Sequence, residues 1–178
     1  MAFQTQATIY RGVGQVGQPA ANDPIVAAAG GPGAYRVATG GVVIGAFAFR
    51  SAAGSLLLSN VAPDATTLPV GFIQNLGQAN IPVGDSNSMS IVAGVEVSPK
   101  VAGTFWAKSS TVATAGQKVF ASSTDGSIST GAAGATVTGS VETDWYVAQG
   151  AAVGDLIIIS TRTKHTQHLS LIHISEPT

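Results

Sequence analysis

The sequence predicts an all-β fold, either an antiparallel β-sandwich of jelly-roll type or a small barrel, with an extended N-terminal arm. From residue 34 onward, short apolar runs rich in Val, Ile, Phe and Thr alternate with Gly, Pro, Asp and Asn, which is typical of strands and their turns. No long window has a helical apolar period bounded by caps, so we expect little helix. The 178 residues suit one domain with a substantial core.

Residues 1–33 are predicted to form the arm. One short strand-like piece, residues 7–10, lies among many glycines and prolines, including the Gly-Gly-Pro-Gly cluster at 30–33. Such punctuation favours extended chain over a packed element. For residues 25–29 a single turn of helix is the alternative.

The predicted strands follow in order through a β domain at residues 34–160. Each is a run of β-favouring residues flanked by turn-forming ones. They cover residues 35–38, 42–50, 55–59, 70–74, 90–97, 104–108, 118–122, 127–130, 136–141, 145–149 and 156–160. Their number and roughly even spacing suit a sandwich or a barrel.

Two of these strand regions carry a sharper pattern. In residues 104–108, Phe105 and Ala107 share one face while Trp106 lies on the other, which predicts a half-buried antiparallel strand. Further on, Asp125-Gly126 separates two apolar runs. Because this dipeptide accepts positive φ angles, it predicts a hairpin with a two-residue turn.

Composition excludes several classes of function. Charged residues make up 10% of the chain, and 8 Lys and Arg stand against 9 Asp and Glu, so there is no basic field to attract nucleic acid. The absence of Cys excludes disulfides, thiol catalysis and cysteine-ligated metals. The N-terminus lacks the pattern of a secretion signal, and the longest clean apolar run, residues 41–49, is too short to span a bilayer. We therefore expect neither a nucleic-acid nor a membrane partner.

The C-terminal residues stand apart from the rest. Residues 169–178 resemble the conceptual translation of a transposase adapter used to prepare DNA sequencing libraries, and every position matches in one frame. We therefore expect residues 161–178 to be a non-native or disordered tail. Residues 169–178 should pack on nothing, whereas residues 161–168 are ambiguous. All three histidines, His165, His168 and His173, lie in it, so residues 1–160 offer no imidazole for catalysis.

Three stretches suggest chemistry and have simpler interpretations. Residues 12–17 read Gly-x-Gly-x-x-Gly, yet prolines follow in place of the helix that a dinucleotide site requires. Residues 85–96 lack both the oxygen ligand and the glycine of a calcium loop. Glu142 and Asp144 are spaced for paired carboxylates, but a strand entry favours solvated side chains over acid–base catalysis. We expect no catalytic residue, no cofactor and no metal ion.

Six stretches, taken in order and spacing, point to a family. They are Met-Ala-Phe-Gln-Thr-Gln at 1–6, Val-Gly-Phe-Ile-Gln at 70–74, Gly-Thr-Phe-Trp-Ala-Lys at 103–108, Ala-Gly-Gln-Lys-Val-Phe-Ala at 115–121, Asp-Gly at 125–126 and Gly-Asp-Leu-Ile-Ile-Ile-Ser at 154–160. With these stretches, most of residues 1–160 resembles the structural cement, or decoration, proteins of tailed bacteriophage capsids.

The resemblance implies a non-enzymatic virion protein that binds the outside of the major capsid shell and cements capsomer junctions against internal DNA pressure. Its implied partners are the major capsid protein and further copies of itself, with a trimer favoured and a dimer as the alternative. The implied location is the capsid exterior, after synthesis in the cytoplasm of a bacterial host. We expect Phe3, Tyr10 and Arg11 on the arm, together with Trp106 in the β domain, to contact the capsid.

A low charge density also favours assembly, because strand edges with few charges are poorly protected unless they are buried against partners. Two other classes stay open. A tail or fibre component is also β-rich and poorly charged. A carbohydrate-binding module would use Trp106 and the pair Trp145-Tyr146 as a platform for stacking sugars.

Overall fold

Two curled β-sheets and a two-stranded ladder make up the fold. The computed structural model describes residues 14–30, 33–77 and 89–162. The regular structure in these residues is all β, which confirms the predicted class, and none of them forms a helix able to cross a bilayer. In chain order the strands are β1 (Val26–Ala27), β2 (Arg36–Val37), β3 (Val42–Val43), β4 (Phe47–Arg50), β5 (Leu57–Ser59), β6 (Gly71–Phe72), β7 (Ser90–Ile91), β8 (Lys100–Ala102), β9 (Thr104–Lys108), β10 (Lys118–Ser122), β11 (Ile128–Gly131), β12 (Ser140–Gln149) and β13 (Leu156–Ser160).

The five-stranded sheet is antiparallel, in the order β11-β10-β12-β13-β9. The chain that follows β9 connects the two edges of this sheet. After β9 the chain reaches the opposite edge, where Ser109 forms a parallel bridge with Ile128 of β11. The Ser110 N–H donates to the Ile128 carbonyl at 2.8 Å, and the Thr130 N–H donates to the Thr111 hydroxyl oxygen at 2.9 Å. Residues 109–111 therefore turn the sheet into a barrel-like ring.

The six-stranded sheet, in the order β1-β8-β6-β4-β5-β2, closes in a similar way. Residues 94–102 pair with β2 at their start, where the Val37 N–H donates to the Val95 carbonyl at 2.9 Å. The same residues end in β8, which pairs with β6. One pair departs from the predicted antiparallel pattern, since β2 and β5 run parallel. The chain between them contains β3 and β4, and this longer connection is what a parallel pair requires.

β4 is buried on both faces and separates two hydrophobic cores. Phe47 and Phe49 point into the first core and Ala48 into the second, and all three are 0% exposed. Phe72 in β6 and Ile73 after it divide in the same manner. A strand buried on both sides needs an uninterrupted apolar run, which is what Ala-Phe-Ala-Phe provides.

Four aromatic rings join the two sheets inside the first core. Phe47 and Phe72 belong to the six-stranded sheet, whereas Phe105 and Trp145 belong to the five-stranded one. Their ring centroids lie between 5.2 and 6.1 Å apart, in tilted or edge-to-face contacts. Aromatic pairs of this kind add about 0.5–1.5 kcal/mol each to the effect of burial. This aromatic junction packs the two sheets against each other.

The N-terminal residues that the structure describes are extended and lie along β9. The Gly17 N–H donates to the Trp106 carbonyl at 2.8 Å, and the Trp106 N–H donates to the Gln18 carbonyl at 2.9 Å. Pro19 forms a bridge with Phe105. The free edge of β9 is therefore covered by residues 17–20.

Residues that follow β13 are tied to the same region. Thr161 exchanges hydrogen bonds with Gly103, donating its N–H at 3.1 Å and accepting at its hydroxyl oxygen at 3.0 Å. Arg162 donates from Nη2 to the Pro24 carbonyl at 3.0 Å and lies 3.6 Å from Asp23 Oδ2 through Nε. The strand-like piece at 7–10 and the tail from residue 163 onward lie outside the described residues.

The predicted strands at 104–108, 118–122 and 156–160 are confirmed with their bounds as β9, β10 and β13. Of the strands predicted at 136–141 and 145–149, residues 140–141 and 145–149 belong to one strand, β12, and residues 136–139 precede it outside any strand. Its polar middle is continuous with the rest because Thr143 turns inward, where its hydroxyl donates to the Val119 carbonyl at 2.8 Å.

Other strand predictions are corrected by backbone geometry. The run at 42–50 divides into β3 and β4 because Gly45 adopts φ +80° between them. The helical turn considered for residues 25–29 is wrong, since residues 26–27 form β1 against β8. Neither of these strands was predicted, because a strand of two or three residues is held by its partner more than by its own sequence.

The predicted hairpin between β10 and β11 is confirmed, with a longer turn than expected. Gly126 adopts φ +68°, and no described non-glycine residue has a positive φ, so Asp125 does not. Asp125 instead accepts hydrogen bonds from the Ser127 N–H at 3.0 Å and the Ser127 hydroxyl at 2.7 Å. Burial acts to raise the pKa of Asp125, but hydrogen bonds from Ser122 and Ser127 together outweigh it and lower the pKa.

The aromatic junction predicts a large effect of Trp145→Ala. Trp145 is 3% exposed, and losing its ring should lower the free energy of unfolding by about 3–5 kcal/mol, as measured by chemical denaturation. The control is Val112→Ala, at a side chain that is 62% exposed, where we expect a change within about 0.5 kcal/mol. Equal losses in the two variants would contradict a junction that joins the sheets.

The hairpin predicts a second difference, between two glycine substitutions. Gly126 and Gly134 both have positive φ, at 68° and 75°, so Ala strains the backbone at either position. A Cβ at Gly126 would also overlap the Phe47 carbonyl oxygen, whereas a Cβ at Gly134 meets nothing within 4 Å. We expect Gly134→Ala to cost about 1 kcal/mol and Gly126→Ala at least about 2 kcal/mol more. Similar midpoints in thermal unfolding would show that the overlap is relieved without cost.

Candidate functional site

Trp106 lies half-buried on the outer face of β9, directly opposite Ile158 of β13. Phe105 and Ala107 are buried on the other face, as the alternation predicts. Gly14, the first described residue, packs so closely on the indole of Trp106 that a side chain at this position would overlap it. The N-terminal chain therefore reaches the body of the protein at Trp106. The other predicted contact residues, Phe3, Tyr10 and Arg11, lie outside the described residues.

The glycines of the dinucleotide-like stretch have a structural role where they are described. Gly17 is buried, and its carbonyl accepts from the Asn75 N–H at 2.9 Å. With φ +82°, and with the backbone of Asn75 and the side chain of Ile44 close to its Cα, this position requires Gly. Gly17 thus fixes the N-terminal segment to β9 and to the residues after β6, and no helix follows it among the residues that the structure describes.

The three aromatic residues considered for sugar stacking do not all lie on one surface. Trp145 is part of the aromatic junction and is buried, whereas Trp106 and Tyr146 lie on the outer side of the sheet. Tyr146 instead contacts Lys118, whose Nζ lies 4.0 Å from the ring centroid. Trp145 is therefore not accessible to a sugar, and the proposed platform is incomplete without it.

Glu142 and Asp144, the candidate carboxylate pair, differ in their surroundings. Glu142 lies 3.8 Å from Lys118 Nζ and accepts from the Gly134 N–H at 2.8 Å. Lys118 Nζ also donates to the Thr143 carbonyl at 3.0 Å. Asp144 is exposed and forms no ion pair with the described residues. Glu142 is thus held in a structural ion pair, and Asp144 is available to a partner.

An open cleft of about 160 Å³ lies beside these carboxylates. Leu68 and Val101 contribute exposed apolar side chains to its lining, and Phe47 and Trp145 adjoin it but are almost fully buried. Leu68, at 67%, is the most exposed of the large apolar side chains that the structure describes. Sequence analysis missed this cleft, although the spacing of Glu142 and Asp144 pointed to one of its sides.

The charges around the cleft are mainly negative. Glu142 and Asp144 line it. Lys100, on the same strand as Val101, donates from Nζ to the Ser98 hydroxyl at 3.2 Å, and burial lowers its pKa. No three His, Cys, Asp or Glu side chains gather as a metal site within the described ranges. The cleft is therefore suited to an apolar group with a positive charge beside it.

Comparison with known proteins identifies the family. Residues 3–161 match the family model described as XM1 gp53 minor capsid protein. A chain from the solved structure titled "The capsid of Myoviridae Phage XM1" has a similar fold, with a TM-score of 0.58 and 16% sequence identity over 90% of this chain and 98% of that chain. No curated protein matches the sequence.

These findings confirm the resemblance to phage capsid proteins. At 16% identity the solved chain is evidence for the fold alone, whereas the family model covers nearly all of the residues outside the tail. The chain therefore belongs to the XM1 gp53 minor capsid protein family and is a structural component of a phage virion.

Proposed function

We propose that this protein is a cement protein that binds the outside of the major capsid shell and strengthens the junctions between capsomers. The observation that carries the proposal is the match of residues 3–161 to a minor capsid protein family. The stretches quoted from the sequence, from residues 1–6 to residues 154–160, support the finer role because they resemble decoration proteins.

The physical requirement is that one protein holds several shell subunits at once. Packaged DNA pushes outward on the junctions, and a protein bound to two or three subunits resists because all of its contacts must break before a junction opens. A specific contact commonly buries about 800 Å² on each partner. Such a role needs surface area and rigidity, and no reactive group.

The fold supports this role through its stiffness. β4 contributes to both cores, and residues 94–102 and 109–111 tie the edges of each sheet together. A body closed in this way transmits load between its contacts with little internal movement.

We place the shell contact at Trp106 and the arm. Trp106 and its cross-strand neighbour Ile158 are half-buried on the outer face of the sheet, where a partner would complete their burial. Phe3, Tyr10 and Arg11 precede the point at which the chain joins this face, and in our proposal they extend the contact to the next subunit on the shell. In this proposal, copies of the protein self-associate on the shell, with a trimer favoured over a dimer.

The remaining parts of the proposal follow from this role. The protein acts without catalysis, lies on the virion exterior and is made in the cytoplasm of a bacterial host. The burial of Trp145 in the first core speaks against the carbohydrate-binding alternative. A tail or fibre component stays the alternative within the virion.

The role predicts lower heat resistance of particles that lack the protein. Because the cemented junctions open last, we expect such particles to release their DNA several degrees below complete particles, as measured by dye binding during heating. Adding purified protein to finished particles should restore the difference, since an exterior site stays accessible after packaging. Equal release temperatures with and without the protein would refute cementing, and failure of the add-back would refute the exterior location.

The arm predicts a separate effect on occupancy. Deleting residues 2–12 leaves the segment at 17–20 that pairs with β9 in the chain, and we expect the variant to bind shells with at least tenfold lower affinity in co-sedimentation, because the arm contacts are lost. Deleting residues 169–178 is the control of similar length, and it should leave occupancy unchanged. Equal binding of the two variants would exclude the arm as an anchor.

A further inference from the structure

We propose that the cleft beside Asp144 receives the N-terminal segment of a second copy of this chain, with Tyr10 in the cleft and Arg11 at the carboxylates. The proposal names the neighbour that the arm reaches, and it rests on the proposed function for the close spacing of copies on the shell.

Size favours an aromatic side chain as the occupant. A cavity of about 150 Å³ lined by apolar side chains accepts one benzene ring, and this cleft measures about 160 Å³. Leu68 and Val101 expose apolar side chains at the cleft, and the buried Phe47 and Trp145 lie behind them. Because the cleft is open to solvent on one side, a ring with a polar tip fits it, and Tyr is such a ring.

Charge favours the arm over other segments. Residues 1–13 contain Arg11 and no Asp or Glu, so the arm is positive. Tyr10 lies directly before Arg11, whereas Phe3 has no charged neighbour in sequence. Asp144 has no ionic partner among the described residues, in contrast to Glu142, which pairs with Lys118. A guanidinium at Asp144 forms a charge-assisted pair that this chain does not otherwise provide.

Length limits how far away the receiving cleft can lie. Tyr10 precedes Gly14 by four residues, so at about 3.3 Å per residue its backbone lies within about 13 Å of Gly14. Gly14 packs on Trp106, on the outer face of the five-stranded sheet. The docking therefore requires the cleft of the second copy to lie against this face.

A charge exchange between two full-length variants tests the proposal. Arg11→Glu places a second acid beside Asp144, and Asp144→Lys places a base beside Arg11, so each variant alone should self-associate about five- to tenfold more weakly in sedimentation velocity. When the two variants are mixed in equal amounts, the arm of each variant meets a cleft of opposite charge on the other. Association should then return to near the original strength. A mixture no stronger than its components overturns docking between copies, as does a full-length chain that stays monomeric.

Matched controls separate the cleft from the general surface charge. Asp155 is also exposed but does not line the cleft, so Asp155→Lys should not rescue Arg11→Glu. Tyr10→Ala should weaken association at least about tenfold, and Phe3→Ala should weaken it much less. Equal effects of the two aromatic substitutions overturn the assignment of Tyr10. Co-sedimentation of the same variants with shells tests the proposed function separately. A protein that binds shells but does not self-associate through the cleft refutes this inference and leaves the proposed function standing.

Discussion

The contact between the two sheets, made by the rings of Phe47, Phe72, Phe105 and Trp145, is the interaction on which the rest of the structure depends. Without it, β4 and β6 would be buried on one face only. The six-stranded sheet would then rely on the second core alone, which is built largely from short strands. With it, the same strands are buried on both sides, and two modest cores become one cooperative unit.

The junction also positions the surfaces that matter for function. Trp145 and Asp144 are neighbours in β12, so the strand that supplies a buried ring also supplies a carboxylate to the cleft. In β9, Phe105 enters the junction while Trp106 faces outward and meets the N-terminal segment. Alternation along a strand thus places a core residue directly beside a residue of the proposed shell contact.

Sequence reasoning succeeded where strands are long enough to carry their own pattern. β9, β10 and β13 each have five residues with clear apolar content, and their bounds were predicted. β1 and β8 have two and three residues, and they exist because they pair with each other, which leaves no local signal. In β12, polar residues at 142–144 suggested a break, although Thr143 finds its partner across the sheet.

The candidate site could likewise be predicted only where its residues carry a local sequence pattern. Trp106 was located correctly on the outer face of its strand because alternation is local, whereas Trp145 was indistinguishable from a surface ring until its neighbours were known. The cleft joins Leu68, Val101 and Asp144, which are far apart in the chain. No spacing rule connects such residues, so the cleft emerges only when both sheets are in place.

The closure of the rings by residues 94–102 and 109–111 has a consequence for how the protein behaves at high concentration. Sheet proteins commonly polymerise when an unpaired backbone edge templates a further strand from another molecule. Here residues 17–20 occupy one such edge and residues 109–111 another, and β1 leaves a free edge of just two residues in the described structure. A chain with so few repelling charges is thereby guarded against fibre growth by its own backbone.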